Sequence, residues 1–181
     1  APRLNTAANG AADDGVAGLN GRLRVPPAGD IPLHATTVDL AGWSVQYAAT
    51  TGTSWSRTNL SGTVAPGQHY LVQEAQGAGG SVSLPTPDAV GTIAVDHAAG
   101  KVVLVSTQVT ITAGTSCPSG VVIVDLVGYG AGTNCFEGPG PAATLSNTTA
   151  ALRKANGQTD TDDNGSDFEV GDPNPRNTAW T

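Results

Sequence analysis

Short runs rich in β-branched residues recur along the middle of the chain, at intervals of roughly 8–15 residues, and each ends at a turn signal. The runs are VDLAGWSVQY (38–47), SGTVAPGQHYLVQEA (61–75), GTIAVD (91–96), KVVLVS (101–106), QVTIT (108–112) and VVIVDLV (121–127). Between or within them stand Pro66-Gly67, Pro85-Thr86-Pro87, Ala99-Gly100 and the Gly-rich stretch 128–132. Side chains alternate across a strand, so Trp43, Val45 and Tyr47 fall on one face, and Tyr70 and Val72 alternate against Leu71 and Gln73. No helical period separates the runs, which excludes βαβ units and predicts an all-β fold, a single immunoglobulin-like β-sandwich. Only TTAALRK (148–154) has any helical texture, and it is equally consistent with a strand. There is no internal repeat.

The 181 residues suffice for one domain with a real hydrophobic core. The first 30 show neither a strand nor a helix period; Ala, Gly, Asn and Asp dominate them and Pro26-Pro27 interrupts them. The expected organisation is therefore an irregular N-terminal arm over 1–35 and the sandwich over 36–178. No apolar stretch approaches the ~18 residues of a membrane-spanning helix. The chain starts at Ala1 without Met or a basic-then-apolar leader, and reads as a mature or processed form.

Fifteen acids against eight bases give a net charge of −7, but its placement matters more than its size. Asp160, Asp162, Asp163, Asp167, Glu169 and Asp172 put six acids in thirteen residues with no base among them. Without that segment nine acids face eight bases, so the rest of the surface is nearly neutral. No basic cluster exists to displace counterions from phosphates, which speaks against duplex nucleic acid as a partner.

Cys117 and Cys135 are the two cysteines. They lack the CxxC spacing of a redox site, and two thiols alone do not complete a zinc site. Two buried free thiols would suit a cytosolic chain. The Thr/Ser/Gly-rich composition, with Lys101 and Lys154 as its lysines, suits an exported bacterial protein, and there the pair reads as a disulfide. Its loop of about 18 residues would contribute roughly 3 kcal/mol by restricting the unfolded chain.

Several segments, in order, resemble the lamin tail domain of exported bacterial proteins. They are VDLAGWSVQY (38–47), LSGTVAPGQHYLVQEAQGAGG (60–80), LPTPDAVGTI (84–93), VDLVGYG (124–130) with CFEG (135–138), and SNTTAALRK (146–154) followed by the Asp-rich stretch to Asn177. The resemblance covers about 36–178 and implies an immunoglobulin-like sandwich, consistent with the strand pattern. It also implies an accessory module of the kind found attached to exported hydrolases, and it transfers no catalytic residue. The family's two usual opening strands are absent or eroded here: DIPLHATT (30–37) carries Pro32 where a ladder donor belongs, and nothing in 1–29 matches the first strand.

Two groups of residues are candidate sites. Asp160, Asp162, Asn164 and Gly165 fit the first half of a calcium loop, with oxygen ligands at alternate positions, and Asp167 would add another ligand. The twelfth position, which should be Glu, is Gly171. The simpler reading is an Asx-rich turn whose carboxylates bond backbone amides or Arg153. Trp55 lies in the polar stretch TTGTSWSRTN, where an open indole beside Tyr47 and Arg57 would stack a sugar ring; the alternative is an indole folded over a sheet edge. His34, His69 and His97 fall in no catalytic string, and neither G-x-S-x-G nor H-E-x-x-H occurs. The expected function is a non-catalytic secreted binding, adhesion or accessory module. Its partner would be an extracellular protein or a glycan, and its only candidate cofactor is calcium. The alternatives are a small secreted nuclease or polysaccharide-degrading hydrolase, calcium-dependent through the acidic segment, and a carbohydrate-binding module.

Overall fold

A computed structural model of the chain describes residues 36–75, 84–120 and 122–180. The arm expected over 1–35 lies outside the described residues. Among the described residues, ten strands and two four-residue turns succeed one another. They are β1 (Val38–Asp39), β2 (Ser44–Ala49), β3 (Ser56–Asn59), β4 (Thr63–Val64), β5 (Val72–Gln73), β6 (Ala89–Val90), β7 (Gly100–Val105), β8 (Ile123–Tyr129), β9 (Ala150–Arg153), α1 (Lys154–Gly157), α2 (Asn164–Asp167) and β10 (Phe168–Gly171). The fold is all-β: TTAALRK gives a strand, α2 is one helical turn of four residues, and α1 is a four-residue turn whose Ala155 and Asn156 take left-handed backbone angles.

The frame is a four-stranded antiparallel sheet in the order β3-β2-β7-β8. Three two-stranded pairs accompany it: antiparallel β1-β4 and β9-β10, and parallel β5-β6. One face of the sheet presents Val45, Tyr47, Val102, Leu104, Val127 and Tyr129. The small pairs send Val64, Val72, Ala151 and Phe168 into the same apolar cluster. Burial of this cluster supplies the main driving force for folding.

The opposite face is buried too. Ala48, Val103, Val105 and Leu126 form a second cluster with Trp55 and Cys135. Two-sided burial explains why KVVLVS reads as an almost unbroken apolar run: all six residues of β7 are buried. The cover on this face is an irregular strap, residues 107–117, bent at 107–109 and turned at 113–114, which forms no ladder with the sheet. QVTIT, expected as a strand, is part of it. An irregular segment over a sheet still needs partners for its backbone. Polar side chains on the sheet provide them: the Ser44 hydroxyl donates to Thr107 O at 2.6 Å, Gln46 Nε2 donates to Val109 O at 2.9 Å, and Gln46 Oε1 accepts from Ile111 N–H at 2.9 Å. GTIAVD likewise forms no strand; the N–H of Ile93 donates to the Glu74 carboxylate instead, at 2.9 Å.

Two local irregularities shape the ends of β7 and β8. Between Leu104 and Val105 the β7-β8 register shifts, Leu104 pairing with Asp125 and Val105 with Ile123, so that Val124 bulges. Simple alternation puts Asp125 on the inward face with Val127 and Tyr129, and the bulge returns Ile123 to the opposite face. At the other end of β7, Gly100 lies between Ala49 and Tyr129. A methyl group there would come within 2.6 Å of the Tyr47 ring and 2.8 Å of the Tyr129 hydroxyl. Both tyrosines are bonded to the backbone of Asp96 and have little room to move. Gly100→Ala is accordingly expected to destabilise the fold by about 1–3 kcal/mol through overpacking, read from the urea midpoint at unchanged slope.

Candidate functional site

The acidic segment folds around one buried cation. Arg153 ends β9, directly across from Phe168 of β10, and its side chain is fully buried. Alternation along β9 turns it, like Ala151, toward the four-stranded sheet. Nη2 reaches both carboxylate oxygens of Asp125, at 3.2 and 3.0 Å. Nη1 donates to Asp160 Oδ1 at 2.9 Å and to Thr159 O at 3.2 Å, and lies 3.6 Å from Asp167 Oδ2. The guanidinium carbon sits 4.6 Å from the centre of the Phe168 ring. Arginine suits this place because its planar, always-charged fork serves several oxygens at once.

Asn164, also fully buried, occupies the outer edge of β8. Its Oδ1 accepts from Gly128 N–H at 2.8 Å and Glu137 N–H at 3.1 Å. Its Nδ2 donates to Leu126 O and to the Glu137 carboxylate, each at 3.1 Å. Gly128 N–H and Leu126 C=O are the groups a neighbouring strand would engage, so one side-chain amide stands in for a strand. Ala142 continues the cover, its N–H donating to Gly128 O and its carbonyl accepting from Gly130 N–H, both at 2.8 Å. Backbone bonds from Asn164 N–H to Glu137 O and from Gly165 N–H to Gly140 O fix the acidic loop to residues 137–140.

Of the four candidate metal ligands, the structure engages one, Asp167, in the loop itself. Asp167 is fully buried and accepts from the Thr161 N–H at 2.8 Å and the Thr161 hydroxyl at 2.7 Å. Asn164 is committed to β8 and Glu137. Asp162 is exposed and takes a positive φ of 54°. Asp163, outside the candidate set, caps α2 by accepting from Ser166 N–H at 3.2 Å. Asp160 is the member that meets other carboxylates. One oxygen each from Asp125, Glu137 and Asp160 lie within 4.8 Å of one another. Those three are the described residues placed to hold a metal ion, but Arg153 already supplies positive charge between Asp125 and Asp160. Burial, reinforced by the charge of Asp160, raises the Glu137 carboxyl above its ordinary range.

The three candidate ligand-binding residues are divided between environments. Tyr47 is in the main core, its hydroxyl accepting from Asp96 N–H at 3.1 Å. Trp55 belongs to the cluster on the opposite face; it is 7% exposed, and Nε1 donates to Thr115 O of the strap at 2.8 Å. Arg57 is exposed on β3 and donates to Gln108 O. Trp55 and Tyr47 therefore form no shared stacking platform. Beside Trp55, at 5.6 Å from its ring, is the buried ammonium of Lys101, a residue that the sequence did not single out. Cys117 and Cys135 form the expected disulfide.

His69 is buried, with Nε2 3.3 Å from Arg176 Nη1, whereas His97 is half-buried and 4.0 Å from Asp96. His34 lies outside the described residues. No protein-family model matches the chain, no curated protein matches it, and no solved structure is significantly similar to it.

Two buried carboxyls shift in opposite directions. Burial alone would raise Asp167, but bonds from Thr161 and from Asp163 N–H, with the charge of Arg153, outweigh it and hold Asp167 below the ordinary Asp value of 3.8. Its stabilising effect is in place above the unfolded-state pKa and disappears as pH falls through the lower folded-state value. Glu74 is raised above 4.5 by burial, against the opposing bond from Ile93 N–H. Its effect is complete below the unfolded-state pKa and is lost as pH rises through the higher folded-state value. Urea titrations across pH are expected to show Asp167→Asn flattening the acid limb and Glu74→Gln flattening the decline above pH 4.5. Identical limbs in wild type and variant would contradict the assignment.

Proposed function

We propose that the chain is a non-catalytic secreted module with an immunoglobulin-like β-sandwich of lamin-tail type, serving as a binding, adhesion or accessory domain. The observation that carries this reading is the inward engagement of the acidic segment. Asp160, Asn164 and Asp167 hold Arg153, the β8 edge and backbone amides, which is how polar groups serve a scaffold. A hydrolase of the alternative kind would instead present such groups to a substrate.

The arrangement of elements supports the fold assignment. The VDLAGW segment supplies β1 and the approach to β2, the P-G-x-x-Y-L-V segment leads into β5, and Asp167-Phe168 opens β10. The oxidised Cys117–Cys135 pair supports residence outside a reducing cytosol. Among the described residues, no helix is long and apolar enough to cross a membrane.

Purified protein is expected to leave DNA, RNA and a panel of soluble polysaccharides intact, with and without millimolar calcium. Turnover of any of them that is abolished by Asp160→Asn would replace the module reading with the hydrolase.

A further inference from the structure

The strap over the second face is held in two unlike halves. Its first half, to Ile111, is gripped by the side chains of Ser44, Gln46 and Arg57. Its second half is held by Gly114 N–H donating to Thr53 O at 3.0 Å, by the Trp55 indole, by Lys101 and by the Cys117–Cys135 disulfide. Lys101 projects from the middle strand β7 and is fully buried. Its ammonium donates to Gly52 O at 2.7 Å, to Ser116 O at 2.8 Å and to Asn134 Oδ1 at 2.8 Å. Ser116 and Asn134 are the residues immediately before Cys117 and Cys135. The ammonium and the disulfide thus join the same two segments at the same point.

These three acceptors are neutral carbonyl oxygens. A buried ammonium bonded only to neutral groups keeps a large hydration cost, and it regains water as soon as the groups around it move apart. A disulfide prevents that movement. Cys117 is exposed and Cys135 is buried, so an incoming thiolate has one accessible side from which to attack.

We propose that the Cys117–Cys135 disulfide is a redox latch on the strap: oxidised, it closes the second half over Lys101 and Trp55, and reduced, it lets that half lift away. In the reduction one thiol of a dithiol reductant attacks one cysteine sulfur, forming a mixed disulfide and releasing the other cysteine, and the reductant's second thiol then displaces the cysteine still bound. Two electrons and two protons pass to the protein as Cys117 and Cys135 become thiols, and the reductant becomes a disulfide. Opening uncovers a cation beside an aromatic ring. It leaves the main core intact, because that cluster lies on the other face of the sheet and the strap contributes no ladder bonds to it.

The test is amide hydrogen exchange followed by mass spectrometry on the whole chain, oxidised and in millimolar dithiothreitol, with reduction verified by the two-proton mass gain. Protection across 113–117 and 133–135 is expected to fall by about tenfold or more while 102–104 changes by less than about twofold. In Lys101→Met, which has no charge to hydrate, reduction is expected to lower protection over 113–117 by less than about threefold. Unchanged protection after verified reduction, loss of protection throughout the chain, or a disulfide that resists reduction in the folded protein would each overturn the latch. Opening of reduced Lys101→Met to the wild-type extent would remove the ammonium from it.

Discussion

The guanidinium of Arg153 is a cation taken out of water, and the fold around it is shaped by the need to solvate it. Removing such an ion from water costs several kcal/mol, which is recovered only where its hydrogen-bond donors all find good acceptors. Asp125 approaches from the sheet, Asp160 and Thr159 O from the loop, and Asp167 from the turn that opens β10. Phe168 closes the remaining side. The arginine thereby ties the β9-β10 pair and the acidic loop to the four-stranded sheet. Two of the six acids in the charged segment, Asp160 and Asp167, answer that single buried cation.

With the loop fixed there, the sheet's last strand is covered. A bare β8 would expose Leu126 C=O, Gly128 N–H and Gly128 C=O as a template for another chain. The amide of Asn164 and the backbone of Ala142 take those groups instead. The broad second face is closed by a different device, a strap fixed by side chains and a disulfide. Charge and amide chemistry in both places do what further strands do in a longer sheet.

How far this was legible in the sequence depends on how local each cause is. Burial on both faces left β7 and β8 to be read from their β-branched runs and flanking turns, while period-two alternation located β2. Alternation placed β1 and β2 in one run, which the Ala41-Gly42 turn divides, Gly42 taking φ 83°. The pattern misled at QVTIT, where Val109 and Ile111 alternate with polar residues as in a strand; what the segment lacks is a ladder, and Gln46 and Ser44 supply the missing partners from about 63 positions away. The two cysteines were readable as a disulfide from composition alone. The acidic segment was visible as a charge cluster, and Arg153 as one candidate partner. Asp125 was not, since it lies 28 residues away on another strand. Trp55 sits in a polar stretch that suggests an open ring, yet its indole is tied to Thr115, sixty residues further on. Long-range partners of single side chains leave no periodic trace.

The dependence of this architecture on Arg153 is tested most directly by a double-mutant cycle with Asp125, measured by equilibrium urea unfolding of wild type, Arg153→Met, Asp125→Asn and the double variant. Arg153→Met leaves the buried Asp125 carboxylate without its cation and Asp125→Asn takes one carboxylate from the buried guanidinium, so each should destabilise strongly, and the double variant should be less destabilised than the sum by at least about 2 kcal/mol. Losses that add to within about 0.5 kcal/mol would mean that the two residues act independently, and would contradict the account of a loop and a sheet joined through one ion.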